Sequence, residues 1–227
     1  MTFELSNRLG TCLSFLSGLE SIADIGTDHA LLPCYGILNN KIKQAVAADV
    51  GAGPLQSAKK TVNKHELQTK VDLRLGSGLS VLQPGEVEGV VIAGMGGKLI
   101  RSIIGAHLEV ARSLKRLVLQ CNVDAALLRE ALMEWNFEII DEALIFEDGK
   151  YYEIVVAKPS AASVDYSKNE LFFGPMLLKN RADDVFQNYW QIGLEKQRLI
   201  LSRLPEGHAK FEAVKQKYEQ IQEVLEC

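Results

Sequence analysis

The segment Ser21-Ile22-Ala23-Asp24-Ile25-Gly26-Thr27-Asp28-His29-Ala30 constrains the fold of this chain more than any other. An apolar run carries an acid near its end and breaks at one glycine. A second apolar run, Gln44-Ala45-Val46-Ala47-Ala48-Asp49, also closes on a carboxylate, 23 residues after Gly26. Short apolar runs of this kind suit strands buried on both faces of a parallel sheet. In such sheets an acid about 20 residues beyond the glycine turn meets ribose hydroxyls. The two runs therefore predict a nucleotide-bearing cofactor at the edge of an α/β sheet.

The rest of the first 160 residues repeats the alternation. Strands are predicted over Ser21–Ile25, Gln44–Asp49, Val71–Leu75, Gly89–Ala93 and Arg116–Gln120. Crossover helices fit Pro54–Glu66, Lys98–Ala106 and Asp124–Trp135, and Leu5, Leu9, Cys12, Leu13 and Leu16 recur at the spacing of an N-terminal amphipathic helix. A βαβ series of this kind winds into a doubly wound sheet. After Glu134 the pattern changes. Phe137–Glu147 and Tyr151–Lys158 are strand-like and meet through Asp148-Gly149, a hairpin signal. Seven strands with a reversed last member resemble the Rossmann-like plan of class I S-adenosylmethionine (SAM) methyltransferases. A nicotinamide dehydrogenase is disfavoured by the hairpin and by the absence of Gly-x-Gly-x-x-Gly.

Ser160-Ala161-Ala162-Ser163 reads as a linker, dividing residues 1–160 from a helical and charged segment, 161–227. Phe186, Trp190, Leu194, Leu201 and Leu204 mark one apolar stripe, and Pro205-Glu206-Gly207 breaks it. Phe211, Val214, Tyr218, Ile221 and Leu225 follow at alternating steps of three and four, an a/d seam. Two antiparallel helices forming a C-terminal coiled-coil domain are expected.

At 227 residues, 47% hydrophobic and 24% charged, the chain can bury a sizeable core. No stretch approaches the roughly 20 apolar residues of a membrane span. Met1-Thr2-Phe3-Glu4 lacks the basic start of a secretory signal, so a cytoplasmic location is expected. Cys12, Cys34, Cys121 and Cys227 are scattered, arguing against a disulfide scaffold and against a zinc site, and no metal is expected. The net charge of -4 speaks against a protein that coats nucleic acid but leaves room for local basic patches. Candidate patches are Lys41/Lys43, Lys59/Lys60/Lys64, Arg112/Lys115/Arg116, and Lys196/Arg198/Arg203 with Lys210/Lys215/Lys217; each also reads as a solvated face.

The predicted site follows the strand ends. Asp24 and Asp28 offer carboxylates for the cofactor's ammonium, and Asp28 also reads as a helix N-cap. Gly26 allows a close backbone approach. His29 lies beside that turn, as a structural or a catalytic histidine. Asp49 reads as a ribose ligand or as a solvated strand end. Ser77 and Gly78 follow the third strand, as an adenine contact or a plain turn. Ala93-Gly94-Met95-Gly96-Gly97 carries three glycines in four positions, as expected of a backbone that passes close to a ligand, with Met95 a soft contact; a hinge is the alternative. Asn122, after Gln120-Cys121, reads as a nucleobase contact or as a helix cap.

Leu5-Ser6-Asn7-Arg8-Leu9, Ala23–Pro33 with its Asp-His-Ala-x-Leu-Pro, Ile92-Ala93-Gly94-Met95-Gly96-Gly97, Leu119-Gln120-Cys121-Asn122, Glu147–Glu153 and Phe173-Gly174-Pro175 together resemble the bacterial TrmK family. These are tRNA (adenine-22 N1)-methyltransferases. Ser77 stands where that family often has Asp, and Cys121 where Pro is usual. The resemblance implies SAM as cofactor, tRNA as partner, and N1 of adenine 22 as methyl acceptor. It places Asp24, Gly26, Asp28, His29, Asp49, Ser77, Gly78, Ala93, Gly94 and Met95 around the cofactor. Asp28, His29 and Asn122 become the candidates for catalysis. A monomer is favoured. Alternatives are a SAM methyltransferase of another RNA or a small molecule, and a non-catalytic SAM-binding interaction protein.

Overall fold

The computed structural model describes residues 3–205 and 207–226. Met1, Thr2, Glu206 and Cys227 lie outside the described residues, and with them part of the N-terminal signal reading, the middle of the helix break and one of the four thiols.

The strands are β1 (Ser21–Ile25), β2 (Gln44–Asp49), β3 (Val71–Leu75), β4 (Gly89–Met95), β5 (Arg116–Cys121), β6 (Phe137–Glu147) and β7 (Lys150–Pro159). They form one sheet in the order β3-β2-β1-β4-β5-β7-β6. The first five run parallel, whereas β7 is antiparallel to both β5 and β6. The reversed strand comes from the hairpin turn, where Asp148 and Gly149 take φ of 50° and 74°. Two consecutive positive φ values make the turn whose twist matches antiparallel strands.

The helices are α1 (Asn7–Ser14), α2 (Leu31–Leu38), α3 (Ala52–Lys64), α4 (Gly97–Gly105), α5 (Leu108–Arg112), α6 (Ala125–Glu134), α7 (Lys168–Phe173), α8 (Asp184–Leu201) and α9 (Phe211–Glu226). Side chains alternate across each strand, so β1, β2, β4 and β5 each feed two cores, whereas the edge strand β3 feeds one through Val71 and Leu73. Ile22, Ala45, Ala47, Val91 and Val118 pack with α1, α2 and α3 on one face. Ala23, Ile25, Val46, Ala48, Ile92 and Leu119 pack with α4, α5 and α6 on the other. This double burial is why the strands read as continuous apolar runs.

A third core joins the C-terminal helices to the sheet. Leu144 of β6 packs with Phe173, Leu177, Phe186, Trp190, Ile221 and Val224. Phe172, Phe173, Phe186, Tyr189 and Trp190 form a chain of ring contacts, the nearest pair being Phe173 and Trp190 at 4.6 Å. Leu201 and Leu204 share a cleft with Phe211 and Tyr218, and Gly193 faces Ile221. Helices α8 and α9 are therefore an antiparallel hairpin, and its most buried residues face the sheet and α7.

Beside this core lies a buried ion triad. Arg129 of α6 is fully buried; its Nε donates to Glu142 Oε1 of β6 and its Nη2 to Glu153 Oε2 of β7, both at 2.6 Å. Its Nη1 also donates to the carbonyls of Leu171 and Phe172. Glu142 accepts the Met176 amide as well. The segment after β7 is thus held to the sheet by satisfied polar groups as well as by apolar packing.

Candidate functional site at the carboxyl edge of the sheet

The carboxyl ends of β1, β2, β4 and β5 lie side by side, because strand order reverses direction between β1 and β4. This is the position at which open α/β sheets bind ligands.

Asp24 lies one residue from the end of β1 and is 8% exposed. Its Oδ2 accepts the Thr27 hydroxyl at 2.7 Å, and Thr27 Oγ1 in turn accepts the Ala30 amide at 3.1 Å. Burial pushes the Asp24 carboxyl up to about 6; the Thr27 bond works against this and the charge of Asp49 adds to it. The turn that follows is pinned to β2, with the amides of Gly26 and Thr27 both donating to the Ala48 carbonyl. Gly26 has φ of 79°, and a Cβ there would lie 2.1 Å from Met95 Cε. Met95 thus lies across the turn, and the positive φ of Gly26 favours glycine there.

Asp49 ends β2 half-buried, its Oδ1 accepting the Gly51 amide at 2.7 Å. Its second oxygen carries no hydrogen bond among the described residues. Asp28 and His29 are exposed and paired, His29 Nε2 lying 3.2 Å from Asp28 Oδ2. Asp28 does not cap α2: the N-cap is Ala30, without a side-chain bond. Ser77 is exposed and opens a short 3-10 turn at Gly78–Val81, and Gly78 packs against Ile103.

The glycine loop after β4 is organised by β5. Asn122 Nδ2 donates to the Gly94 carbonyl at 2.8 Å, and the Asn122 amide donates to the Met95 carbonyl at 2.9 Å. The Gly94 amide donates to Gln120 Oε1 at 2.8 Å, and Gln120 Nε2 donates to Asn122 Oδ1 at 3.1 Å. Gln120 is fully buried, and Arg8 Nη1 donates to the same Oε1. Arg8 reaches the loop from α1 and is itself held by Glu147, its backbone amide donating to Oε1 at 3.3 Å, and by the Tyr152 ring 5.1 Å away. Gly97 completes the junction: a Cβ there would stand 2.2 Å from the Asp124 carbonyl. Asn122 therefore ties two loops together and does not cap α6, whose N-cap Asp124 makes no side-chain bond either.

The predicted residues thus converge on one edge: Gly26 lies against Met95, Asn122 binds the Gly94 and Met95 carbonyls, and the charge of Asp49 is felt at Asp24. Asp28, His29, Ser77 and Gly78 lie at its rim. Sequence reasoning does not single out Arg8 or Thr27, although both lie inside the quoted motifs. It also passes over Val50, Leu75 and Val123, which are 71%, 64% and 62% exposed. Each of these apolar side chains ends or closely follows a strand at this edge, which is the signal that could have found them. Cys12, Cys34 and Cys121 are buried free thiols, and burial pushes Cys12 and Cys121 up to about 12. Among the described residues no three His, Cys, Asp or Glu side chains come together to hold a metal ion, and no helix is long and apolar enough to cross a membrane.

The family model described as tRNA (adenine(22)-N(1))-methyltransferase, TrmK, matches residues 22–226. The chain is 37% identical to the tRNA (adenine(22)-N(1))-methyltransferase of Bacillus subtilis, over 98% of this chain and 94% of that protein. Its fold is similar to that of Streptococcus pneumoniae Sp1610 in complex with S-adenosyl-L-methionine, with a TM-score of 0.90 and 35% identity, covering 98% of this chain and 100% of that one. It is also similar to M. capricolum TrmK in complex with S-adenosyl-homocysteine, with a TM-score of 0.89 and 27% identity, covering 99% of both chains. With the strand ends, the glycine loop and the two carboxylates in place, this chain belongs to the TrmK family of tRNA (adenine(22)-N(1))-methyltransferases.

Proposed function

We propose that this chain transfers a methyl group from SAM to N1 of adenine 22 in tRNA. The carrying observation is the convergence of Asp24, Asp49 and the Gly94–Gln120–Asn122 network on one sheet edge, in a member of this family.

The donors fit the cofactor. Asp24 is a buried carboxylate whose charge is raised in energy by its surroundings, so an ammonium group beside it is a favourable partner. Asp49 keeps one oxygen for ribose hydroxyls, and Val50 and Leu75 offer apolar surface to an adenine ring. Nothing lies within 4 Å of the place a Cβ would take on Gly94, so the loop leaves open space beside its backbone. When bound, SAM supplies an electrophilic methyl group.

Adenine N1 carries a nucleophilic lone pair, so the chain's task is alignment and exclusion of water rather than strong base catalysis. Asn122, fixed at both ends of its amide, holds the Gly94–Met95 backbone in one conformation. Methylation leaves a cationic base. The Asp28–His29 pair at the rim supplies a carboxylate to stabilise that charge and an imidazole to accept a proton from N6. The base must leave its stack to reach this edge.

Residues 1–160 form the cofactor-binding unit in this reading, and residues 161–227 provide the RNA-facing helices. A tRNA substrate supports a cytoplasmic location.

The test is methyl transfer from labelled SAM to two tRNA transcripts, one with A22 and one with G22, followed by digestion and mass spectrometry. N1-methyladenosine in the A22 transcript alone is the expected result. Label at equal level in both transcripts, or in neither while SAM binds, overturns the reading.

A further inference from the structure

A threonine hydroxyl has one hydrogen to donate and two lone pairs with which to accept. Thr27 is 2% exposed, so its partners come from the protein. Its Oγ1 lies 3.1 Å from the Ala30 amide nitrogen and 2.7 Å from Asp24 Oδ2. A backbone amide only donates, so Oγ1 accepts at Ala30. The one hydroxyl hydrogen is then committed to Asp24. A carboxylate takes that bond more strongly than a protonated carboxyl does, so the arrangement favours the ionised acid. The backbone holds it in place, with the amides of Gly26 and Thr27 both on the Ala48 carbonyl and Ala30 turned back at φ of 52°.

The rest of the surroundings oppose that charge. Asp24 follows Ile22 on the face of β1 that packs with α1, α2 and α3. Burial is the largest influence and raises the carboxyl, and Asp49 at the end of β2 raises it further. Cys12 of α1 and Cys34 of α2 are neutral thiols, held up to about 12 and about 11 chiefly by burial, with the Asp24 charge adding to both. Arg8 acts on Cys12 and is engaged with Gln120 and Glu147 rather than with Asp24. Helix α3 turns Ala58 and Val62 to this core, β4 carries no ionisable side chain, and Asp28 and His29 are exposed and paired with each other. Among the described residues Thr27 is therefore the one group that favours the charge of Asp24.

Only one carboxylate oxygen is spent on that bond. Asp24 Oδ1 accepts no hydrogen bond among the described residues, yet it is not sealed from solvent as Arg116 Nε and Trp190 Nε1 are. A buried acid with one oxygen tied, one open and no cation of its own is suited to a cation that arrives with a ligand.

We propose that Thr27 is a positioning residue for the cofactor: by committing its hydroxyl to Asp24 Oδ2 it keeps the carboxylate charged and leaves Oδ1 for the ammonium group at the amino-acid end of SAM. The inference rests on the SAM reading and deepens it, naming the group through which the turn after β1 acts on the ligand's charge. Thr27 acts through Asp24, so its removal is felt by the ammonium and not by the nucleoside.

The test uses the full chain and two ligands, SAM and methylthioadenosine, which keeps the nucleoside and thioether but lacks the amino-acid end. Affinities are measured by calorimetry from about pH 5 to about pH 7.5, below the titration of an α-ammonium. In the wild type, SAM affinity should rise with a midpoint near about 6, where Asp24 ionises. Thr27→Val keeps the shape and removes the hydroxyl, and should move that midpoint up by about one unit. The variant should then bind SAM about 10-fold more weakly than the wild type at about pH 5 and within about twofold at about pH 7.5. Thr27→Ser should keep the wild-type profile, and Asp24→Asn should lose the rise. Methylthioadenosine affinity should be the same in all four proteins and flat with pH. A loss of SAM affinity in Thr27→Val that is equal at every pH, or an equal loss for methylthioadenosine, overturns the proposal and leaves the SAM reading standing. Flat SAM affinity in the wild type overturns it without any Thr27 variant. A wild type that binds neither ligand overturns the SAM reading as well.

Discussion

Arg8 and Gln120, 112 residues apart in sequence, share a hydrogen bond whose acceptor oxygen also receives the Gly94 amide. One buried amide thereby couples the start of α1 to the glycine loop. Replacing Arg8 with Ala removes the guanidinium from Gln120 and from Glu147, whose Oε2 lies 4.0 Å from Arg8 Nε, while the backbone bond to Glu147 stays. A destabilisation of about 1–3 kcal/mol is expected in denaturant unfolding, with a fall in kcat of about tenfold as the loop loosens. Arg8→Lys keeps a charge for Glu147 but not the planar fork, and should recover less than half of the loss in kcat. Full recovery by lysine would show that charge alone matters.

Asp24 carries a cost that the cofactor relieves. Its carboxyl is raised to about 6 from 3.8, chiefly by burial. Above pH 6 the folded chain holds a buried charge that the unfolded chain exposes to water, so Asp24 detracts from stability there. The cost fades as pH falls from about 6 to 3.8, where both states are protonated. Asp24→Asn should therefore be more stable than the wild type at pH 8, by at most about 3 kcal/mol, and the difference should shrink toward pH 4. SAM affinity should drop by at least about tenfold in the variant. In the wild type, SAM affinity should rise from pH 5 to pH 7 as the carboxyl ionises. A variant no more stable at pH 8 than the wild type would contradict the burial argument.

Gly26 is constrained twice, by its φ of 79° and by Met95 Cε. Gly26→Ala should lower stability by about 1–2 kcal/mol and weaken SAM binding by about tenfold or more. Adding Met95→Ala removes the collision but not the backbone strain, so the double variant should regain part of the stability. If Met95→Ala rescues nothing, the contact with Met95 is not what excludes a side chain.

The Arg129 triad holds α6, β6 and β7 together under the C-terminal helices. Arg129→Met leaves Glu142 and Glu153 without their counter-charge, though Glu142 keeps the Met176 amide, and such a loss typically costs about 3–5 kcal/mol. Burial already holds the Glu142 carboxyl above its ordinary value. The variant should therefore be least stable at high pH and regain stability as pH falls and the carboxylates protonate. Limited proteolysis at pH 8 should cut first beyond residue 160. Unchanged melting at pH 8 would show that the triad is dispensable.

His29 pairs with Asp28 at the exposed rim, and neither side chain supports the core. His29→Ala and Asp28→Asn should leave melting temperature within about 2 °C while lowering kcat by about 10- to 100-fold. SAM affinity should change far less than kcat. Wild-type turnover in both variants would remove this pair from the mechanism and leave proton loss from N6 to solvent.

The sheet was legible because its determinants are local. Ile22, Ala23 and Ile25 of β1 are apolar on both faces, as a strand between two helical layers demands, and the Asp148-Gly149 pair encodes the reversal of β7 in two residues. The acids closing β1 and β2 and the glycines after β4 likewise announce a ligand edge from their own neighbourhoods. The extent of helices shifted by a residue or two, and Asp28 and Asn122 turned out not to cap the helices that follow them. What only the tertiary structure decided are the pairings across distance: Arg8 with Gln120, and Arg129 with Glu142 and Glu153. Hydrophobic periodicity reports which way a residue faces within its own element. It carries no information on which polar groups meet once elements from both ends of the chain pack, because that depends on the register and stacking of the whole fold.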